Sequence, residues 1–334
     1  FWPAVERVGP LCEENLWPNM VFARAAGTLL TAEMTLPDGS YFMPGEALDA
    51  QISFKNEGLR GSRGNVTATV TSLNSAVEIG DSFLWSLGTV NEREQLADTV
   101  NIPFTVTSSA SAGCTGGFVF HFDDGYEVTT DTIQLIIGKP EAVFYEDGEM
   151  DMSQWKTSSW GIGGSAHTGS GSITDSPNGT YSPQQTTVLT VRNPVDLSVV
   201  SHPRLEYWAK WDIEENYDGV TIEAKAEEGP WESLRGRYTQ KATGGGNGQP
   251  KGTFVYEGTQ TEWLKESIDL SQFVGFDEVT FRFVLRSDER VEGNGFALDD
   301  LRLLAFPETE LSIADLNGDC LVDVADVLKL VDLI

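Results

Sequence analysis

Cations are scarce in this chain. Its 334 residues carry 22 Lys plus Arg against 51 Asp plus Glu, a formal net charge of −29. Phosphate backbones and anionic membranes are read by clustered cations, so nucleic acid is excluded as a partner and an anionic membrane surface is disfavoured. Long apolar runs are missing too. None approaches the roughly 18 residues that a membrane span needs, so no membrane span is expected. There are three cysteines, Cys12, Cys114 and Cys320. They are odd in number and far apart, so their spacing defines no disulfide framework. Histidine is limited to His121, His167 and His202. None has Glu three residues on, so none opens a His-x-x-Glu zinc pair, and all three read as ordinary β-domain histidines. Neither a Ser nucleophile elbow nor a phosphate-cradling Gly loop is visible. No catalytic residue is assigned. The chain begins Phe1-Trp2-Pro3, with no initiator Met and no basic-then-apolar leader pattern, which reads as a piece of something longer.

What is present points to β-structure. Hydrophobic residues make up 40% and aromatics 10%, enough to build cores. Gly at 34 and Pro at 14, among many Thr and Val, favour strands and turns. The length predicts two or three domains.

Residues 10–26 have apolar spacing near that of a helix, with Pro18 inside it and Gly27 as its stop. From residue 28 to about 140 the period becomes two. Ala50, Ile52 and Phe54 alternate with polar residues, as do Val66, Ala68 and Val70, then Val100, Ile102, Phe104 and Val106. Phe118, Phe120 and Phe122 run into Asp123-Asp124-Gly125, a tight-turn signal. Short strands at this spacing predict an immunoglobulin-like two-sheet sandwich of about 100 residues. A second β-domain is expected over 141–307, where Leu205, Tyr207, Ala209 and Trp211 alternate, followed by Val220, Ile222 and Ala224 and by Val279, Phe281, Phe283 and Leu285. Its size and strand number predict a jelly roll.

One strand slips phase. Phe296 and Leu298 share one face, then Leu301 and Leu303 take the apolar positions one residue out of register. That is the pattern of a β-bulge at Asp299-Asp300. The two acids there are either solvated or hold a cation. Tryptophan is dense in this domain: Trp155, Trp160, Trp208, Trp211, Trp231 and Trp263. Trp211 is in phase with the core positions. Trp208 falls on the opposite face, which makes it the candidate for stacking on a glycan; the alternative for the group is core packing.

Residues 315–326 carry the sharpest motif. Oxygen side chains fall at loop positions 1, 3, 5, 9 and 12, namely Asp315, Asn317, Asp319, Asp323 and Asp326, and Leu321 at position 7 offers its carbonyl. This is the ligand order of an EF-hand loop, which wraps oxygens around Ca2+. Position 6 is Cys320, where an EF-hand has Gly. The alternative is an acidic turn with Asp323 or Asp326 capping the following helix.

Three resemblances follow from these residues. Asp315-Leu-Asn-Gly-Asp, with Asp323, Asp326 and an apolar helix after them, resembles one repeat of a type I dockerin. That implies structural calcium and a cohesin-like or cell-surface partner, although positions 10 and 11 are Val324 and Ala325 rather than a hydroxyl pair. Residues 141–305 resemble the MAM-like jelly roll of immune inhibitor A-type metallopeptidases, through Thr174-Asp-Ser-Pro-Asn-Gly-Thr-Tyr181, Leu205-Glu-Tyr-Trp-Ala-Lys-Trp211 and Gly295-Phe-Ala-Leu-Asp-Asp-Leu301. The resemblance implies a structural calcium at Glu149 and Asp299, with Asp300 and Asp175 as further candidates. Residues 1–27, through Phe1-Trp-Pro and Val21-Phe-Ala-Arg-Ala-Ala26, resemble the last helix of a carboxypeptidase T-type zinc carboxypeptidase.

The expected architecture is therefore mainly β, in four segments: a helical remnant over 1–27, an Ig-like β-sandwich over 28–140, a jelly-roll β-sandwich over 141–307, and a calcium loop and helix over 308–334. The order of segments implies the non-catalytic accessory region of a secreted or cell-surface zinc metallocarboxypeptidase. Zinc and the peptide substrates would belong to a missing catalytic domain. The alternatives are a stand-alone adhesion or carbohydrate-binding protein, and the accessory region of an immune inhibitor A-type metalloprotease.

Overall fold

The computed structural model describes residues 28–35, 41–149, 151–157, 159–245 and 248–307, and from the C-terminal segment 314–316, 320, 321, 324, 326, 328 and 329. The helix expected over 10–26, and with it the carboxypeptidase resemblance of residues 1–27, lies outside the described residues. The described residues are mainly β-structured, and the chain falls into two compact units, residues 1–139 with 309–334, and residues 140–308.

The first unit contains β1 (Leu30–Thr35), β2 (Ala47–Asn56), β3 (Val66–Ser72), β4 (Val77–Ile79), β5 (Leu84–Gly88), β6 (Gln95–Val106), β7 (Thr115–Asp123) and β8 (Val128–Ile136). They form two antiparallel four-stranded sheets, ordered β1-β2-β6-β4 and β5-β3-β7-β8. The period-two pattern decides which side chains meet. Phe54 of β2 packs edge-on to Phe120 and Phe122 of β7, with ring centroids 5.8 and 5.7 Å apart. Phe104 of β6 meets Phe118 at 5.1 Å. All five rings are buried. Asn56 ends β2 while fully buried, and all of its polar capacity is used: Nδ2 donates to Arg60 O and Asn91 O, and Oδ1 accepts from Leu29 N and Gly58 N. The β7–β8 hairpin turns on Asp123 and Asp124, whose Oδ1 atoms accept the amides of Gly125, Tyr126 and Glu127.

The spacing of the cysteines defines no pairing; the structure joins Cys114 and Cys320 in a disulfide, with Cα atoms 5.6 Å apart and a sequence separation of 206. Spacing could not show this, because the two are brought together only when the tail folds back on the sandwich. Ser111 N donates to Cys320 O, and Ala110 bridges Leu321. Residues 309–334 cluster with the first unit.

The second unit contains β9 (Glu141–Glu146), β10 (Trp155–Thr157), β11 (Gly161–Gly163), β12 (Ser172–Thr174), β13 (Thr186–Val191), β14 (Val200–Ile213), β15 (Gly219–Ala226), β16 (Glu232–Ser233), β17 (Gln240–Lys241), β18 (Phe254–Val255), β19 (Gly258–Asp269), β20 (Val279–Arg286) and β21 (Gly295–Pro307). One sheet runs β10-β13-β20-β15-β16. The other runs β11-β12-β21-β14-β19, with β9 also paired to β21. Their inner faces share a core in which Tyr207 meets Phe283 at 5.4 Å and Trp211 meets Tyr256 at 5.1 Å. Glu266 is buried at the edge of this core and accepts from Arg237 N, Tyr238 N, Ser267 N and Tyr256 Oη, which pins the loop before β17.

Candidate functional site

Strict alternation along β14 sends Leu205, Tyr207, Ala209, Trp211 and Ile213 into the core. Arg204, Glu206, Trp208, Lys210 and Asp212 are left on the outer face. The neighbouring strands are irregular on that face. Glu206 pairs with Arg302 and Trp208 with Asp299, so one residue of β14, Tyr207, stands against two of β21, Asp300 and Leu301. This is the bulge expected at Asp299-Asp300, and Asp300 takes the left-handed φ of +49° that accommodates it. On the other side Ala209 pairs with Leu264 and Trp211 with Gln260, so β19 bulges across Trp263.

The bulges bring three rings together. His167, from the loop between β11 and β12, stacks on Trp208 at 3.9 Å and 12°. It meets Trp263 edge-on at 6.2 Å. Lys210 Nζ lies 4.8 Å from the Trp263 centroid, within cation–π range. The loop carrying His167 is tied to the acids of the bulge. Asp299 Oδ2 accepts from His167 N and Thr168 N at 2.7 and 3.2 Å. Asp300 Oδ2 is 2.8 Å from His167 Nδ1, and both Asp300 oxygens accept from Thr168 Oγ1. Burial pushes the Asp299 carboxyl above its ordinary value, and the Asp300 charge adds to this against the pull of the amides. Glu206 is held between Arg204 Nε at 2.7 Å and Lys265 Nζ at 2.9 Å. Burial pushes it up, but the hydrogen bonds from Arg204 and Lys265 outweigh that and keep it below its ordinary value.

The tryptophans divide by how their indole N–H is used. Trp155 donates to Glu146 Oε2, Trp160 to Thr187 Oγ1, and Trp211 to Glu257 O. Among the described residues no hydrogen bond uses Nε1 of Trp208 or Trp263, and both rings are half-buried. Trp231 lies elsewhere, under the Arg282 guanidinium at 3.9 Å. Alternation located Trp208, whereas no pattern in the sequence marked His167, which was read as an ordinary histidine. His121 lies in β7 of the first unit, and His202 near the start of β14. His202 has a buried Nδ1 with no partner, and burial lowers its pKa.

The acids expected to share a calcium in this unit each have donors within the fold. Glu149 accepts from Ser170 N, Ser170 Oγ and Gly171 N, which hold it below its ordinary value. Asp175 accepts from Phe296 N and Ser176 Oγ, and burial raises it to about 6 despite those bonds. With Asp299 and Asp300 bound to the His167 loop, each carboxylate has its own donors, and no three of the four meet in one cluster.

In the C-terminal loop, Asp315 Oδ2 accepts from Cys320 N at 2.9 Å, and Asp326 Oδ1 accepts from Leu316 N at 2.8 Å. Cys320 adopts φ +75°, the left-handed backbone for which an EF-hand uses Gly at the same position. Two of the expected ligand side chains are thus folded onto the loop's own amides. Asn317, Asp319 and Asp323 lie outside the described residues.

No helix among the described residues is long and apolar enough to cross a membrane. No family model and no curated protein matches the chain. Among solved structures, it is similar to the CBM22-1 xylan-binding domain of Paenibacillus barcinonensis Xyn10C at 10% identity and a TM-score of 0.31, over 51% of this chain and 98% of that one. A carbohydrate-binding module of the β-sandwich superfamily aligns at 11% identity and 0.32, over 83% and 96%. The mannan-recognising module TmCBM27 aligns at 13% and 0.25, over 50% and 99%. At these scores the likenesses carry no argument about what this chain binds.

Proposed function

We propose that the second unit is a non-catalytic glycan-binding module, and that its binding face is the outer surface of β14, β19 and β21. One observation carries this reading: Trp208 and Trp263 share that face with their indole N–H groups uncommitted, while the tryptophans of the core use theirs internally. A pyranose offers a flat apolar C–H face and a rim of hydroxyls. Indole planes take the former. Trp208 and Trp263 Nε1, Lys210 and the Glu206–Lys265 pair supply donors and acceptors for the latter. His167 lies flat on Trp208, so a sugar stacking on that face takes the place of the imidazole. A chain of this kind would act by holding a larger protein against a polysaccharide or a cell surface.

Affinity electrophoresis of the full chain against soluble polysaccharides tests the reading. Retardation by at least one glycan is expected, and it should be lost in Trp208→Ala and Trp263→Ala but kept in Trp231→Ala, whose ring is covered by Arg282. Equal loss in all three variants, or migration unaffected by any glycan, would contradict it.

A further inference from the structure

A second cluster of acids lies in the same unit, on two loops far apart in sequence. The turn between β14 and β15 contributes Glu214 and Asp218, and the residues after β20 contribute Asp288. One carboxylate oxygen from each lies within 4.8 Å of the other two. Asp218 is fully buried. Its donors are all neutral: Tyr181 Oη at 2.7 Å to Oδ2, and Asp288 N at 2.6 Å to Oδ1. Asp288 Oδ1 accepts only an amide, Arg290 N at 3.0 Å. Among the described residues no lysine or arginine pairs with any of the three.

An independent observation makes this more than an acidic cluster. Glu214 Oε2 is buried and has no hydrogen-bond partner. Gln249, only 1% exposed, is anchored through Nε2 to Asp218 O at 2.6 Å and to Glu257 Oε2 at 2.5 Å, and among the described residues its own buried Oε1 has no partner. Among the described residues four buried side-chain atoms lack a partner; one belongs to Glu214 of the cluster and one to Gln249, which is bonded to the Asp218 carbonyl. Both are oxygens. A buried acceptor left without a donor is costly, and so is a buried anion beside two others. A cation removes both costs at once.

We propose that Glu214, Asp218 and Asp288 form a Ca2+ site. The donor chemistry selects the ion. No His or Cys joins the group, which disfavours zinc. Oxygens drawn from separate loops suit the irregular, six-to-eight-fold coordination of Ca2+ better than the strict octahedron of Mg2+. Burial raises the Glu214 and Asp218 carboxyls, with Asp288 adding repulsion to each, which is the electrostatic state that a divalent ion relieves. Bound there, the ion cross-links the turn before β15, the segment after β20 and, through Tyr181, the loop before β13.

The test is calorimetric titration of the full chain with CaCl2, carried out in an Asp315→Asn background so that the C-terminal loop does not contribute. One bound ion is expected. Asp218→Asn and Asp288→Asn should each weaken it about tenfold or more, since affinity follows the number of charged ligands. Terbium is a second probe: excitation of tyrosine should sensitise its emission, and Ca2+ should quench that signal. Near-UV circular dichroism identifies a variant that has not folded. Asp288→Asn decides the matter if the buried Asp218 does not tolerate change. Unaltered stoichiometry and affinity in folded Asp288→Asn, or no Ca2+ uptake by the Asp315→Asn parent, overturns the proposal.

Discussion

Asp175 offers a quantitative check on the second unit. It follows β12 and is 6% exposed, with Phe296 N donating to Oδ1 at 2.6 Å and Ser176 Oγ to Oδ2 at 2.7 Å. Burial raises its carboxyl from 3.8 to about 6. An acid whose pKa rises on folding holds its proton more tightly in the folded state. Its contribution is therefore complete below the unfolded value and lost as pH rises through the folded one. From 3.8 to about 6, at about 1.36 kcal/mol per pH unit, the loss is about 3 kcal/mol. Asp175→Asn keeps an acceptor for Phe296 N and removes the titration. Urea unfolding of both proteins from about pH 3.5 to 7.5, followed by tryptophan emission, isolates the effect, because every other titrating group is common to the two. The stability difference should move by about 3 kcal/mol toward the variant across that range. Parallel stability curves, or a movement toward the wild type, would refute the reasoning.

Gly295→Ala should destabilise the same place, by about 2 kcal/mol or more in urea unfolding. Gly295 has φ +79°, and an added Cβ would lie 2.5 Å from Asp175 Oδ1. Glu223→Gln strands Arg282 and Arg286, which lie at 2.6 and 2.9 Å from the carboxylate. A loss of about 2 kcal/mol is expected in the same assay, below the ~3–5 of a fully buried pair because both guanidiniums keep partial exposure. Cys114→Ser removes a cross-link spanning 206 residues, for which chain entropy allows up to about 5 kcal/mol. Melting of the first unit should fall, and the Ser111 amide, bonded to Cys320 O, should exchange faster. Unchanged exchange would show that the tail docks without its disulfide.

Period-two alternation made the sheets legible. Ala50, Ile52 and Phe54 in β2 and Tyr207 and Trp211 in β14 are buried because one face of each strand meets a core. The slip at Asp299-Asp300 was legible for the same reason, since a bulge breaks that period. Contacts made only by loop closure were not. His167 reaches Trp208 because its loop is tied to Asp299 and Asp300, which are distant in sequence. Cys114 meets Cys320 only through the docking of the tail. Glu214, Asp218 and Asp288 occupy two separate turns, with no spacing pattern to join them. Family resemblance placed the acids of the second unit at one metal site. The amides that the structure brings to Glu149, Asp175 and Asp299 lie on loops and strands distant in sequence, which a linear motif cannot foresee.

The account rests on the aromatic face of β14 and β19. Calorimetric titration of the full chain with the polysaccharide that retards it most should give saturable binding. A variant with both Trp208→Ala and Trp263→Ala should weaken it by about 30-fold or more, equivalent to about 2 kcal/mol for anchoring aromatics. Undiminished affinity in that folded double variant would contradict the account.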